Sequence, residues 1–418
     1  MSFSKINFWI EGDISTTRVI SRLLNDVVGQ GNCNTKLISS IGWKSLVSGF
    51  NIFCRVCDPD YHWVPAYLKK NGVPYVYYLD DNFWKITGSG DLARHYHSAA
   101  VVNALDEFVR GAAFVITHTQ VMVDFIANRF PEVRCQLLPV PFDVSLARTV
   151  ENKPALEMRR LPVIGYAGGY KEAEFEFLET VLARLGKERP EIRVEFIGGI
   201  SDRLRCLNNV QWFPGFSDYA AFLSFKISRN WTVGLAPLMD SEFNSAKTNN
   251  KFREYGGCHI PGVYSDTSPY IECIRSEQSG LLVENVTEAW VEAIKRLVDD
   301  QVLQERIKKE AFVFVDSNYS HRVIAPVWKG VIETIPECAR LQPFSALRFN
   351  YYKRYRLNGF SDTASALESG SIASMCKAIL KRKFRSLLTR VTARWLVVMS
   401  VLAMLIVVNF YILKAGLL

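Results

Sequence analysis

Three segments hold residue types whose spacing could do chemistry. Val163–Lys171 reads VIGYAGGYK, an apolar run entering a glycine turn before a helical pattern that begins near Glu172. The turn suits a phosphate, because Gly168 and Gly169 expose backbone amides and a helix N-terminus favours an anion. Its spacing is neither that of a dinucleotide fingerprint nor that of a P-loop, and simple turn glycines are the alternative. Phe196–Gly199 and Phe213–Gly215 repeat the strand-then-glycine pattern. In Val73–Trp84, VPYVYYLDDNFW, an apolar run ends on Asp80 and Asp81, a carboxylate pair able to orient a hydroxyl or take its proton. Strand alternation predicts that the two point apart, and an Asp helix cap is the competing reading. Val233–Glu284 places Asp240, Phe243, Asn244 and Lys247 in a polar loop, then Lys251 and Glu254 on one face of a helix. A surface ion pair would account for Lys251 and Glu254 but not for Lys247 and the loop.

These residues need a scaffold, and the hydrophobic pattern supplies one. Length alone suggests two domains for 418 residues. The 49% hydrophobic composition excludes a disordered chain, and a mean hydropathy of +0.03 excludes a polytopic membrane protein. Strands are predicted near Asn7–Ile10, Lys36–Ile41, Asn51–Val56, Pro74–Tyr78, Ala113–Thr117 and Arg134–Leu138, with helical patterns between them, including Leu92–Arg110. A second series begins at Leu161–Gly165 and continues through Arg193–Ile197, Val210–Phe213, Thr232–Ala236 and Gly262–Tyr264. Alternation of this kind implies parallel sheets covered on both faces. The expected organisation is an α/β chain of two Rossmann-like domains facing a ligand cleft, residues 1–145 and 160–317. Asp143–Pro162 reads as a linker, and 318–338 as a helix returning to the first domain. Nine scattered cysteines argue for reduced thiols, and the lone Cys54/Cys57 pair reads as a buried strand end rather than a metal site.

The Val233–Glu284 block resembles glycosyltransferase family 4 of the GT-B fold. Part of that family shares the pattern seen here as Phe243-Asn244, Lys247, Lys251, Glu254-Tyr255, Pro261, Ser265 and Gly280–Val283. The resemblance spans roughly Ser2–Val331. It implies a nucleotide diphosphate sugar as donor, Glu254 accepting hydrogen bonds from the ribose hydroxyls, and Lys247 and Lys251 neutralising the diphosphate as ammonium point charges. Gly168, Gly169 and Lys171 fall at the phosphates, and Asp240 and Asn244 beside the donor. Asp80 and Asp81 match a polysaccharide-directed subgroup. Gly12 and Arg18, in GDISTTR, resemble the family's glycine loop and its trailing arginine; His97, like His95, is a candidate acceptor contact. The first acid of the family's paired-glutamate motif falls on Ala246, leaving Asp240 or Glu242 to substitute, and His259 stands where the family usually has glycine. Asp58-Pro59-Asp60 reads as a turn, and no obligatory metal or other cofactor is expected.

The net charge of +8 is unevenly placed. Residues 341–418 hold 12 Lys and Arg against two Asp and Glu, so the first 340 residues carry a net of −2. Nucleic acid is therefore not an expected partner. Trp395–Leu413 is nineteen residues without a charge, long enough for one membrane span, and 372–394 forms a basic amphipathic pattern suited to an anionic lipid surface. A linker is expected over 339–371. No signal peptide is read at the N-terminus, and the Lys/Arg bias predicts a body on the cytoplasmic face. The resulting expectation is a membrane-anchored glycosyltransferase acting with retention on a lipid-linked or surface glycan. A non-catalytic GT-B-like scaffold and a nucleotide-sugar epimerase are the alternatives.

Overall fold

The computed structural model describes residues 5–151, 161–334, 349–350 and 353. Two six-stranded parallel sheets dominate them. The first has the order β2-β1-β3-β4-β5-β6, from Ile6–Ile10 (β1), Cys33–Leu37 (β2), Phe50–Cys54 (β3), Tyr75–Tyr78 (β4), Phe114–Thr117 (β5) and Cys135–Leu137 (β6). The second runs β12-β11-β10-β7-β8-β9, from Val163–Gly168 (β7), Arg193–Gly198 (β8), Val210–Phe213 (β9), Val233–Ala236 (β10), Gly262–Ser265 (β11) and Leu281–Val283 (β12). Helices cover both faces, so the central strands bury every residue: INFWI in β1, FNIFC in β3 and YVYY in β4. A strand wrapped on both sides has no solvent face to alternate with, and a continuous apolar run is its signature.

Three local elements differ from the sequence expectation. The strand expected at Lys36–Ile41 pairs instead at Cys33–Leu37, and Ile38–Ser40 forms a short 3-10 turn. As an edge strand it is only partly buried, so its apolar pattern gives little warning of register. The single helix expected over Leu92–Arg110 breaks at Ser98, whose extended backbone separates Asp91–His97 from Ala99–Gly111. A helix at Val144–Glu151 occupies the start of the stretch read as a linker. The predicted amphipathic helix at 372–394 and the span at 395–413 lie outside the described residues. Among the described residues, no helix is long and apolar enough to cross a membrane.

The helix His321–Ile332 closes the body. Ile324, Trp328 and Ile332 join the apolar core formed by the first sheet and the helix Ser15–Val28. Trp328 is fully buried, donates from Nε1 to the Pro139 carbonyl at 2.9 Å, and lies beside Tyr78 and His118. His118 loses both proton and solvent here: burial pushes its imidazole down to about 4. Removing a large core aromatic typically costs about 3–5 kcal/mol. W328A should therefore lower the unfolding free energy by about that amount, measured by chemical denaturation, and a change below about 1 kcal/mol would show that this helix is not integral to the body.

Candidate functional site

A cavity of about 550 Å³ opens at the C-terminal edges of both sheets, where an α/β chain collects loops and helix N-termini. From the first domain it is lined by Ser15, Thr16, Asp80 and Asp81. From the second come Gly168, Gly169, Lys171, Lys247, Lys251 and Glu254, with Phe216, Tyr219 and Phe222 as an aromatic wall.

Asp80 and Asp81 leave β4 just past its last paired residue. Pleat alternation has ended there, and both carboxylates turn toward Arg55, contrary to the expectation that they point apart. The Arg55 guanidinium lies 3.4 Å from Asp80 Oδ1 and 3.8 Å from Asp81 Oδ2. Arg55 follows β3 directly, in a left-handed backbone conformation (φ 57°) that turns its side chain over the Phe83 ring. The Thr16 hydroxyl donates to Asp80 Oδ2 at 3.1 Å, and Lys247 Nζ reaches Asp81 Oδ1 at 3.5 Å. These partners drive the two acids apart. Burial, reinforced by neighbouring Asp81, raises Asp80 above the ordinary carboxylate value despite Arg55. Burial also opposes ionisation of Asp81, but Lys247 and then Arg55 outweigh it and hold its carboxyl low. Divergent environments for paired carboxyls are what separates a protonated role from an ionised one.

On the opposite wall, β7 and β8 end in glycines because their backbones touch. A Cβ on Gly198, whose φ is 99°, would stand 2.6 Å from the Gly168 carbonyl oxygen. The Gly199 amide donates to that same oxygen at 2.8 Å. Lys171 then caps the helix Glu172–Glu188, with Glu174 3.8 Å from its ammonium. Burial and the nearby Lys247 charge lower the Lys171 pKa.

The helix Asn250–Gly257 carries Lys251 and Glu254, and Gly257 seats it: a Cβ there would come within 2.1 Å of the Phe142 ring. Lys251 donates to the Ala167 carbonyl and sits 4.1 Å from the Tyr166 ring centroid. Burial first, and then Lys171, push its ammonium down to about 7. Glu254 accepts from Lys226 Nζ at 2.8 Å and from Asn250 Nδ2 at 3.2 Å. Its burial would favour the neutral acid, yet Lys226 outweighs that and keeps the carboxyl below its ordinary value. Beyond the helix, His259 adopts a left-handed conformation (φ 53°) with its ring stacked on Phe312. Glycine is the usual solution for that conformation, and histidine is among the better-tolerated alternatives.

Other predicted site residues lie elsewhere. Asn244 is buried behind the wall, donating to Glu174 at 3.1 Å and to the Met239 carbonyl at 2.8 Å. Asp240 accepts from Thr267 at 2.6 Å, and Glu242 pairs with Lys85 at 2.5 Å; neither lines the cavity. Gly12 and Arg18 do not line it either, although Ser15 and Thr16 of the same turn do; Arg18 is paired with Asp13 at 2.8 Å. His97 bonds the Ile86 carbonyl at 2.9 Å in a separate groove with Trp84, Tyr96 and Phe125. Asp58 accepts from the Asp60 amide at 2.9 Å and caps the turn Pro59–Tyr61. Among the described residues, no group of three or more His, Cys, Asp or Glu is arranged to hold a metal ion.

Sequence reasoning missed Thr16, Arg55 and Lys226. Two of these had a readable signal. Arg55 is a cation directly after a wholly buried strand, and Lys226 is a lone charge in the mostly apolar helix YAAFLSFKIS. A charge in such a setting needs a buried partner.

No protein-family model and no curated protein matches the sequence. Solved structures do match in fold. An α-glucosyltransferase in complex with UDP-glucose and DNA containing an abasic site superposes with a TM-score of 0.59 at 14% identity, over 80% of this chain and all of that one. A sucrose-phosphate synthase from Thermosynechococcus elongatus gives 0.58 at 14% identity, over 79% and 98%. HepE of Anabaena in complex with UDP gives 0.57 at 12% identity, over 79% and 100%. Its two parallel six-stranded sheets and these superpositions give this chain the GT-B fold.

Proposed function

We propose that the protein is a nucleotide-sugar-dependent glycosyltransferase. The observation that carries this reading is the convergence, in one cavity, of Gly168, Gly169, Lys171, Lys247 and Lys251 with the carboxylate of Glu254. A diphosphate would gain three ammonium groups and the amides of the glycine turn, while Glu254 accepts the ribose hydroxyls. The UDP and UDP-glucose held by similar structures support a nucleoside diphosphate donor of this class.

Asp81 faces this site from the first domain and is paired with Lys247 across the cleft. An arriving diphosphate competes for Lys247 and frees Asp81 to accept a hydrogen bond from the acceptor hydroxyl. Asp80, held by Thr16 and Arg55, orients its neighbour. On this reading a donor phosphate oxygen assists deprotonation and the anomeric configuration is retained. The charge distribution supports the further proposal that residues 372–394 and 395–413 hold the enzyme at the cytoplasmic face of a membrane, beside a lipid-linked or surface glycan acceptor.

Four outcomes are expected. Incubation with labelled UDP-, GDP-, ADP- and CMP-sugars should yield transfer or slow hydrolysis from at least one donor. E254A should weaken binding of that nucleotide by at least about a hundredfold, since hydrogen bonds to a charged group are worth about 1.5–3 kcal/mol each. An epimerised free nucleotide sugar, or no turnover at all, would instead favour the epimerase or scaffold alternatives. Lys251 is cationic below about pH 7 and largely neutral above it. Nucleotide affinity should therefore fall as pH rises through that value, with proton uptake on binding at the alkaline side. Calorimetry in buffers of different ionisation enthalpy reads this uptake, and K251M should abolish it. Finally, deleting residues 372–418 should release the protein from membranes; sedimentation with them after truncation would refute the anchor.

A further inference from the structure

We propose that Lys226 is a positioning residue for the nucleotide: from behind the cavity wall it fixes the Glu254 carboxylate in the state and orientation that capture hydroxyl groups. The inference rests on the nucleotide-sugar reading of the cavity and assigns it a residue outside the ligand's reach. Lys226 projects from the last turn of the helix Tyr219–Ser228 and has no exposed surface, whereas Glu254 lines the cavity. Its ammonium lies 2.8 Å from Glu254 Oε2, with Phe222 and Tyr255 rings 4.6 and 5.8 Å away. Stripping water from an ammonium is expensive unless an ion pair offsets it, and an apolar residue at this position would complete the same helix face without that cost.

The other charges near Glu254 are committed elsewhere. Lys251, on the same helix, bonds the Ala167 carbonyl. Arg253 donates to the carbonyls of Val140 and Pro141 at 2.8 and 3.0 Å. Tyr219, on the Lys226 helix, is a partly buried neutral phenol whose ionisation is opposed by desolvation and further by Glu254. Asn250, a neutral amide, touches Oε1. Lys226 thus closes Oε2 with a full charge, and Oε1 keeps accepting capacity beside a neutral donor, since each carboxylate oxygen has two acceptor sites. Without the ammonium, burial would favour the protonated acid, which donates one hydrogen and accepts poorly.

The test is equilibrium binding of UDP, GDP, ADP and CDP to the full-length chain and to K226M, K226R, E254Q and the double variant K226M/E254Q, from about pH 5 to pH 8. Affinity of K226M relative to wild type at each pH should be roughly ten- to a hundredfold lower at the acid end, with the gap narrowing as pH rises and Glu254 ionises. K226R should follow the wild-type profile. The double variant K226M/E254Q, which leaves neither buried charge unpaired, should bind no more weakly than E254Q. A K226M profile parallel to wild type, or added loss in the double variant, would mean the pair is only structural and would overturn the inference alone. Failure of the wild type to bind any of the four diphosphates would overturn the nucleotide-sugar reading, and the inference with it.

Discussion

The organising constraint of this structure is that charge taken out of water must be paired. Around one cavity the fold assembles Lys171, Lys247, Lys251, Lys226, Arg55 and Arg253, and each is tied to a carboxylate or a carbonyl. Those ties determine local architecture. Arg55 accepts a left-handed backbone to reach two aspartates, and Arg253, at the cavity wall, binds the carbonyls of Val140 and Pro141. The carbonyls are at the point where the chain leaves the first domain, so the helix carrying Lys251 and Glu254 is anchored to the crossover itself.

The same constraint links the two sheets. Lys247 to Asp81 and Lys85 to Glu242 join residues of the first and second domains, and the Thr119 hydroxyl donates to the Ala246 carbonyl at 3.1 Å. Lys85 and Glu242 are substantially exposed and contribute little as an isolated pair. Lys247 and Asp81 are mostly shielded, so their attraction is less screened. An anion entering the cavity therefore acts on the contact between domains as well as on its own binding groups.

Much of the fold was legible because burial on both faces produces a simple signal. The runs INFWI, FNIFC and YVYY can be read as central parallel strands, and the glycine turns mark where two backbones must touch. The edge strand Cys33–Leu37 was misplaced because only part of it is buried and its residues are mostly polar. Site reading divided along a similar line. Asp80, Asp81, Gly168, Gly169 and Lys171 lie at or just past strand ends, Lys247 in the loop before the helix Asn250–Gly257 that carries Lys251 and Glu254, and all line the cavity. Asp240 sits in a loop, Arg18 in the first turn of the helix Ser15–Val28 and His97 at the end of the helix Asp91–His97, and each found a local partner outside the cavity instead. Glycine's usual place at position 259 is also explained physically, since His259 adopts the left-handed conformation that glycine enters without strain.

The acid absent at position 246 sharpens the assignment of roles. Ala246 is buried and its carbonyl is committed to Thr119, so this position has been given over to domain contact. Neither Asp240 nor Glu242 replaces it in the cavity lining, where the carboxylates are Asp80, Asp81 and Glu254. Glu254 is engaged by Lys226 and Asn250, and Asp80 by Thr16 and Arg55 with its pKa raised. Asp81 alone of the three is both held ionised and tied mainly to a cation that a diphosphate would draw away. On the glycosyltransferase reading, a carboxylate from the first domain thus takes over contact with the reacting hydroxyls, and its availability depends on the donor having already displaced it from Lys247.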